Sequence, residues 1–421
     1  MTEAMKTSGV DWIGNIPSDW SLKKIRFATT IRTEVGKYTP ENVFIGLENV
    51  EGSTGRLIET ESEYEEGIYD VFRKGDVLFS KLRPYLEKAF ISDFDGFCTG
   101  EFVIFRGFEG DKRFLFYFLL SHGFIEIVNA STYGAKMPRA SWDYIKNLNV
   151  PLPCSAEQQA IAAFLYDRCG QIDVIVADLE RQVEILRQYK KALITETVTK
   201  GLDKTAPMKG SGIDWIGEMP MHWEMKRLKF LGSARNGLTY APEDVVDEDK
   251  GTLVLRSSNI QNDRLTFDDN VYVNCRIPKE IVLQENDLLI CSRNGSQALI
   301  GKCALIDEKT AGQTYGAFMC VYRSRYNKFI HYVFLSDIFS YYLGTFLTST
   351  VNQLTNLNLY NIQIPIPMDL NEQQAIVEFL DHKCAEVDDL IAEKQKAAET
   401  MRQYKKSLIY EYVTGKKRVT G

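Results

Sequence analysis

An excess of positive charge is missing: 50 Lys and Arg stand against 57 Asp and Glu, for a formal net charge of −7. A nucleic-acid binder usually shows a basic surface, because phosphate contacts dominate its affinity. Composition alone therefore argues against nucleic acid, or confines the basic groups to local patches. Zinc-site spacing is missing too. The eight cysteines (Cys98, Cys154, Cys169, Cys275, Cys291, Cys303, Cys320 and Cys384) form no C-x-x-C pair, and only four histidines accompany them, so no metal ligand set is expected. No basic-then-apolar leader opens the sequence. The longest apolar runs, such as Phe114 to Leu120, are far too short for a bilayer. Reduced thiols in a cytoplasm are the expected state. Pro-Pro occurs nowhere. That removes the Asn/Asp-Pro-Pro-aromatic loop with which amino-methyltransferases hold a flipped base.

What is present is repetition, which has to be sought before local structure. The 421 residues exceed the usual single domain. The stretch SGVDWIGNIPSDWSLKKIRF from Ser8 to Phe27 returns as SGIDWIGEMPMHWEMKRLKF from Ser211 to Phe230, at an offset of 203. Pro151-Leu152-Pro153 followed by Glu157-Gln158-Gln159 returns as Pro365-Ile366-Pro367 followed by Glu372-Gln373-Gln374. The P-x-P pair stands 214 residues apart; from Glu157 and Glu372 the offset is 215, and it holds without a gap through RQYKKALITETVT (Arg187 to Thr199) and RQYKKSLIYEYVT (Arg402 to Thr414). The stretches between these landmarks diverge. Only anchors such as Asp76-Val77-Leu78 beside Asp287-Leu288-Leu289, and Phe114-x-x-Tyr117 beside Phe329-x-x-Tyr332, persist. Drift alone would erode frame and interior alike. Matching frames around unlike interiors point to one architecture that holds two different contact surfaces.

The coarse structure of each repeat follows from pattern. Asp76 to Phe79 and Phe102 to Phe105 read as strands. Arg113 to Val128 and Lys328 to Leu347 read as apolar helices. After each P-x-P the pattern turns helical, with Ser155 the expected N-cap. Leu165, Ile172, Leu179, Leu186 and Leu193 recur every seven residues, and Leu380, Val387, Met401 and Leu408 keep the period in the second repeat, interrupted by Lys394. That is a coiled-coil-like seam. Gly170 is the expected break between a short helix and a long one, Gln171 to Thr199. One such helix alone would expose a wide apolar stripe, so the two are expected to pair, antiparallel if a pseudo-two-fold axis relates them. The expected fold class is mixed α+β, with α/β interiors alternating with two long helices.

The D-W-I-G-x-x-P-x-x-W openings, the P-x-P…E-Q-Q-x-I approaches to long helices and the twofold alternation resemble the specificity subunit of type I restriction-modification systems. The resemblance covers essentially the whole chain. It implies target-recognition domains at about 1–150 and 207–364, each reading half of a split, asymmetric DNA site, and spacer helices at 151–206 and 365–421 that form an antiparallel coiled coil and set the distance between the halves. It implies two modification subunits that carry S-adenosylmethionine and methylate adenine, restriction subunits that cleave DNA with ATP, and no cofactor or catalytic site in this chain.

Local motifs agree with that last implication. A phosphate loop needs G-x-x-x-x-G-K-[ST]. The nearest approach, Gly295 to Lys302, has one residue too many between its glycines, and Cys303 follows the lysine. Glu224-Met225-Lys226 resembles the tail of a nuclease motif, but its repeat counterpart begins at Ser21. His122, His222, His331 and His382 fall in no metal or triad constellation.

Base edges are read by Arg, Lys, Asn or Gln, and phosphates by donors on exposed loops. In the first repeat the candidates are Lys81, Arg83 and Tyr85, directly after a strand, and Lys136 and Arg139 in the Gly/Pro-punctuated loop Thr132 to Arg139. In the second they are Arg293, Asn294, Ser296 and Gln297, then Asn356 in the segment Asn352 to Asn356, with Arg256 and Asn259 a third cluster. Trp12, Trp20, Trp215 and Trp223 read as frame residues that seat each interior on the helices. Two other readings stay open. One is the DNA-recognition module of a split or fused type II restriction/methyltransferase enzyme. The other is a coiled-coil scaffold with no DNA role, which the acidic charge favours.

Overall fold

The structure is a computed structural model that describes residues 4–134, 136–346 and 352–419. The chain forms two compact units, Met1–Arg181 with Lys394–Gly421, and Gln182–Glu393. Each contains one mixed α/β interior and a segment from each of two long helices, Ser155–Lys200 and Leu370–Val413.

In the first unit a four-stranded sheet runs in the order Thr30–Ile31, Phe102–Arg106, Val77–Ser80, Ala89–Ile91, all antiparallel. Its two inner strands are apolar over Val77 to Phe79 and Phe102 to Phe105 because both faces are covered there. Val77, Phe79, Val103 and Phe105 point into the core shared with the helices, while Leu78, Phe102 and Ile104 alternate into a smaller core on the other side. The second unit repeats the sheet as Ser233–Asn236, Met319–Arg323, Leu288–Cys291, Cys303–Leu305. Leu288, Ile290, Cys320 and Tyr322 face its helical core; Leu289, Cys291, Met319 and Val321 face the other.

The Asp anchors lock these sheets. Arg32 grips Asp76 through Nε (2.7 Å) and Nη2 (3.3 Å), and Arg323 grips Asp287 through Nε (2.7 Å) and Nη2 (2.6 Å). Each Asp also accepts a backbone N–H three residues upstream, from Arg73 and from Gln284. A second four-stranded sheet in each unit contains one parallel pair, but its strand order differs. Phe44–Ile45 is an edge strand beside Gly96–Cys98, whereas Thr252–Leu255 is an inner strand beside Thr314–Tyr315. The interiors have thus diverged in topology as well as sequence.

The frame motifs explain themselves as contacts. Trp20 and Trp223 are fully buried, and each indole N–H donates to the Glu of the E-Q-Q motif: Trp20 to Glu157 (3.0 Å), Trp223 to Glu372 (2.8 Å). The next residue binds the turn before the helix. Gln158 Nε2 donates to Pro153 O, and Gln373 Nε2 to Pro367 O. A Pro carbonyl left without a helical partner is satisfied in this way.

Four helical expectations need correction. The helix Ser155–Lys200 is continuous over 46 residues. Gly170 lies inside it with open space around it, so it lowers helix propensity without breaking the hydrogen-bond ladder. Ser155 is already helical, and Cys154, whose carbonyl accepts from Gln158 N–H, precedes it. The stretch from Arg113 to Val128 is two helices, Lys112–Leu119 and His122–Ala130, parted at Ser121, whose hydroxyl turns back to Phe118 O. Ser336 does the same between Asn327–Leu335 and Asp337–Phe346; Leu347 lies outside the described residues.

Within each unit the helix segments run antiparallel. In the first, Phe164 meets Tyr412, Asp173 meets Lys405 and Glu180 meets Arg402, so partners descend as positions ascend. Of the expected seam, Leu165, Ile172, Leu380, Val387 and Leu408 are buried, while Leu179, Leu186, Leu193 and Met401 are half-buried. The buried stripe is wider than a two-residue seam. Ile161, Ala162 and Cys169 in one unit, and Ile194, Val198 and Ile376 in the other, also enter the core of the α/β interior.

His331 in the second unit is held neutral. Burial, and then the charge of Lys190, push its pKa down to about 4, and its Nε2 makes no hydrogen bond. The unfolded chain takes a proton on this ring below about pH 6.5, whereas the folded protein resists it until about pH 4. Stability is therefore expected to fall as pH drops through that window, by about 3 kcal/mol. Urea midpoints from pH 7.5 to 4.5 should separate wild type from His331→Leu progressively, with the variant less acid-sensitive.

Candidate nucleic-acid interface

In each unit two polar loops meet at one end of the first sheet. The strand Val77–Ser80 leads into residues 81–85, and residues 132–139 return beside them. Leu82 and Tyr133 each form a β-bridge with Arg139, Arg83 N–H donates to Pro138 O, and Ala140 N–H donates to Lys81 O. Ala135 of the second loop lies outside the described residues. The second unit repeats the arrangement after Leu288–Cys291. Arg293 bridges Gln353, Leu354 N–H donates to Ser292 O, and Asn352 Nδ2 reaches Gly295 O at 3.4 Å. The loop pairs singled out in the sequence are thus neighbours in both units.

The individual side chains differ in availability. Arg83, Tyr85, Lys136, Arg293, Ser296 and Gln297 are exposed, and Lys81, Asn294 and Asn356 are half-buried. Arg83 holds a left-handed backbone (φ 49°), uncommon for a non-glycine residue, and donates from Nη2 to Lys136 O, tying the two loops. Asn294 donates to Ser257 Oγ and accepts from Ser296 N–H, which draws the third cluster to the same place. Asn356 opens a short helix and accepts from Cys320 Sγ.

Asn259 does not present itself to solvent. It is fully buried; its Oδ1 accepts from Arg256 N–H, and its Nδ2 donates to Thr266 O. Asn49 makes the same pair of bonds, to Gly46 N–H and Ile58 O. Asn259 therefore shapes a turn that both repeats share, because a short amide can satisfy backbone groups that no ladder reaches. Arg256 is half-buried and pairs with Asp269 at 2.9 Å.

Arg139 is also committed. Its guanidinium is forked onto Glu101, with Nε at 2.9 and 3.0 Å and Nη2 at 2.6 Å. Phe318 takes the place of Glu101 in the second unit. Each directly precedes the central strand, and each carbonyl accepts from the first loop, Glu101 O from Lys81 N–H and Phe318 O from Ser292 N–H. Arg293 lies 5.3 Å over the Phe318 ring, which is 60% exposed. One loop pair is cross-linked by an ion pair, and the other presents an aromatic with a cation above it. Phe318 and the exposed Tyr133 were not singled out in the sequence; an aromatic inside a Gly-punctuated loop is the signal that could have found them.

These contacts separate the arginines. If these loops contact DNA, Arg83→Ala and Arg293→Ala, each losing one exposed contact, should change thermal stability little and weaken DNA binding, by roughly 1–3 kcal/mol with relaxed specificity where a base contact is lost. Arg139→Ala should also loosen the loop pair by freeing Glu101, so its defect should include increased proteolysis at residues 132–139. Binding isotherms against salt, paired with limited proteolysis, check both.

Together, the fold and these loops define a duplicated α/β protein with one donor-bearing loop pair at the same place in each repeat. The chain belongs to the family described as the type I restriction modification DNA specificity domain, which matches it twice, over residues 23–185 and 220–400. It is 28% identical over 320 residues to the type I restriction enzyme MjaVIII specificity subunit of Methanocaldococcus jannaschii, covering 73% of this chain and 71% of that protein. It is 25% identical to the putative MjaX specificity subunit of the same organism, covering 97% and 96%. With the EcoKI specificity subunit of Escherichia coli K12 it shares 28% identity over 228 residues, 52% of this chain and 45% of that one. A solved structure from work on complex assembly and conformational transition of the type I R-M system matches the fold with a TM-score of 0.69 at 19% identity, over 94% of this chain and 98% of that one. Among the described residues no helix is long and apolar enough to cross a membrane.

Proposed function

We propose that this chain is the DNA-reading subunit of a cytoplasmic type I restriction-modification complex. Each target-recognition domain, about 1–150 and 207–364, reads one half of a split, asymmetric site through its own loop pair. Two modification subunits supply S-adenosylmethionine and methylate an adenine in each half. Restriction subunits supply ATP-driven cleavage. The observation that carries this reading is the repeated loop pair, placed at the same end of the same sheet in both units and furnished with different side chains. A shared scaffold with unlike donors is what reading two different half-sites requires. The acidic net charge is compatible with it, because exposed Arg83, Lys136 and Arg293 concentrate positive charge at the loops.

No catalytic step is assigned to the chain itself. The rigorously purified single chain is expected to show no methyltransferase, nuclease or ATPase activity, and to confer site-specific adenine methylation when its modification subunit is added. Sequencing of methylated sites, with and without that subunit, tests both parts. AdoMet-dependent methylation by the single chain, or methylation at random sites by the complex, would sink the reading.

A further inference from the structure

The frame carries an exposed aromatic at one matching position in both repeats. Phe27 is 63% exposed and Phe230 is 71% exposed, and they are related by the offset of 203 that governs the W-I-G openings. Each has a cation on its ring: Arg26 over Phe27 at 4.8 Å and Lys229 over Phe230 at 4.8 Å. The preceding Ile25 and Leu228 are buried and fix each short turn to the core, with their N–H groups donating to Leu148 O and Ile362 O. A single exposed apolar residue on a surface needs no explanation. A bare phenylalanine kept at the same place twice, in the part of the chain that the repeats share, does.

Charge surrounds both rings. Lys24 and Arg26 make no ion pair among the described residues, and neither do Arg227 and Lys229; Lys23 and Lys226 are paired with Glu109 and Glu224. In the second unit Phe230 borders a groove of about 520 Å³ that also involves Met225, Arg227 and Gln363. Position in the sheet argues against DNA as the occupant. Strand Val77–Ser80 has its Ser80 end at the recognition loops, whereas Phe27 leads into Thr30, which pairs with Arg106 at the Val77 end. Phe230 likewise leads into Ser233, which pairs with Arg323 near Leu288, while the loops follow Cys291.

We propose that Phe27 with Arg26, and Phe230 with Lys229, form two equivalent docking points for two copies of one protein partner, which offers each ring an apolar pocket with an acidic rim. On the functional reading above, that partner is the modification subunit. Aromatic and Arg side chains are the residues that dominate protein interfaces when desolvated, while a basic rim sets encounter rate and salt dependence. Identical points cannot read different sequences, but they can hold identical partners.

The test uses the full chain, titrated with its modification subunit by native mass spectrometry and sedimentation. Phe27→Ala and Phe230→Ala should each leave one site at wild-type affinity and weaken the other roughly thirtyfold. The double variant should weaken both. Arg26→Glu with Lys229→Glu should weaken assembly and reverse its salt dependence. Thermal midpoints and binding of the isolated chain to DNA should be unchanged, since both rings are exposed. A double variant that assembles like wild type would overturn the proposal. So would a loss of DNA binding with assembly intact, which would assign the rings to DNA. If wild type itself takes up no modification subunit, the functional reading falls, and this proposal with it.

Discussion

Lys405→Ala is expected to destabilise the protein by roughly 3–5 kcal/mol, the range for removing one partner of a buried ion pair. Lys405 is 6% exposed, and its ammonium has three acceptors: Asp173 Oδ1 at 2.6 Å, Asp173 Oδ2 at 2.8 Å and Ser53 O at 2.9 Å. It therefore joins both helix segments of the first unit and the tip of the hairpin around Ser53. Removing it takes away the ammonium that both Asp173 oxygens accept from. The repeat supplies an internal control. Lys190 and Asp388, each 215 positions from its counterpart, form the same bidentate pair at 2.8 and 2.9 Å. That pair is more open, with side chains 18% and 36% exposed against 8% and 24%. Water can replace part of what is lost there, so Lys190→Ala should cost less. Thermal and urea melts of both variants check the ranking. In Lys405→Met/Asp173→Leu the charges go together, and most of the loss should return. If Lys405→Ala and Lys190→Ala were equally mild, the inner pair would not be holding the hairpin to the helices.

Those two pairs also show what sequence could and could not disclose. The identity of RQYKK in both repeats, and of Asp173 with Asp388, is plain in the sequence, and repetition discloses the fold class, the frame tryptophans and the long helices. It did not reveal that the lysine inside a polar-looking motif is a buried cross-link, because burial depends on which hairpin arrives from elsewhere in the chain. The same limit applies to Asn259. In the sequence Arg256-Ser257-Ser258-Asn259 looks like a donor-rich loop. Its counterpart Asn49 stands in Leu47-Glu48-Asn49, and only the shared bonds to backbone identify both as turn builders. Gly170 misled for the opposite reason. A glycine in a helix costs about 1 kcal/mol, and 46 residues that bury Ile161, Leu165, Ile172, Val183, Ile194 and Val198 outweigh it. The loop pairs were legible because a strand followed by Gly, Pro and donors is a local signal. Whether Arg139 points at solvent or at Glu101 was not, since that depends on a partner 38 residues away.

Replacing residues 25–149 with the corresponding segment of a relative should change one half of the DNA target completely and leave the other half as it was. The frame makes this graft physically reasonable. Lys24 and Asn149 lie opposite each other in the antiparallel pair Ser21–Lys24 with Asn149–Leu152, so the chain leaves the frame and re-enters it at one point. Arg227 and Gln363 do the same in the second repeat. Everything removed except Asn149 itself lies beyond that pair, and the Trp20–Glu157 bond that seats the frame on the helix is untouched. The graft must still present apolar side chains where Phe114, Phe124 and Val128 meet the Ile161 and Leu165 stripe, so a donor with apolar residues at those places should fold and one without them should not. Each base pair changed in a recognised site costs roughly 1–3 kcal/mol, so a half-site that changes by three pairs should lose at least a hundredfold in affinity for the old sequence. Methylated-site sequencing of the assembled complex reads the result directly. A graft that folds and methylates but alters both halves together would show that the two interiors do not read independently, and an unaltered target would place recognition outside residues 25–149.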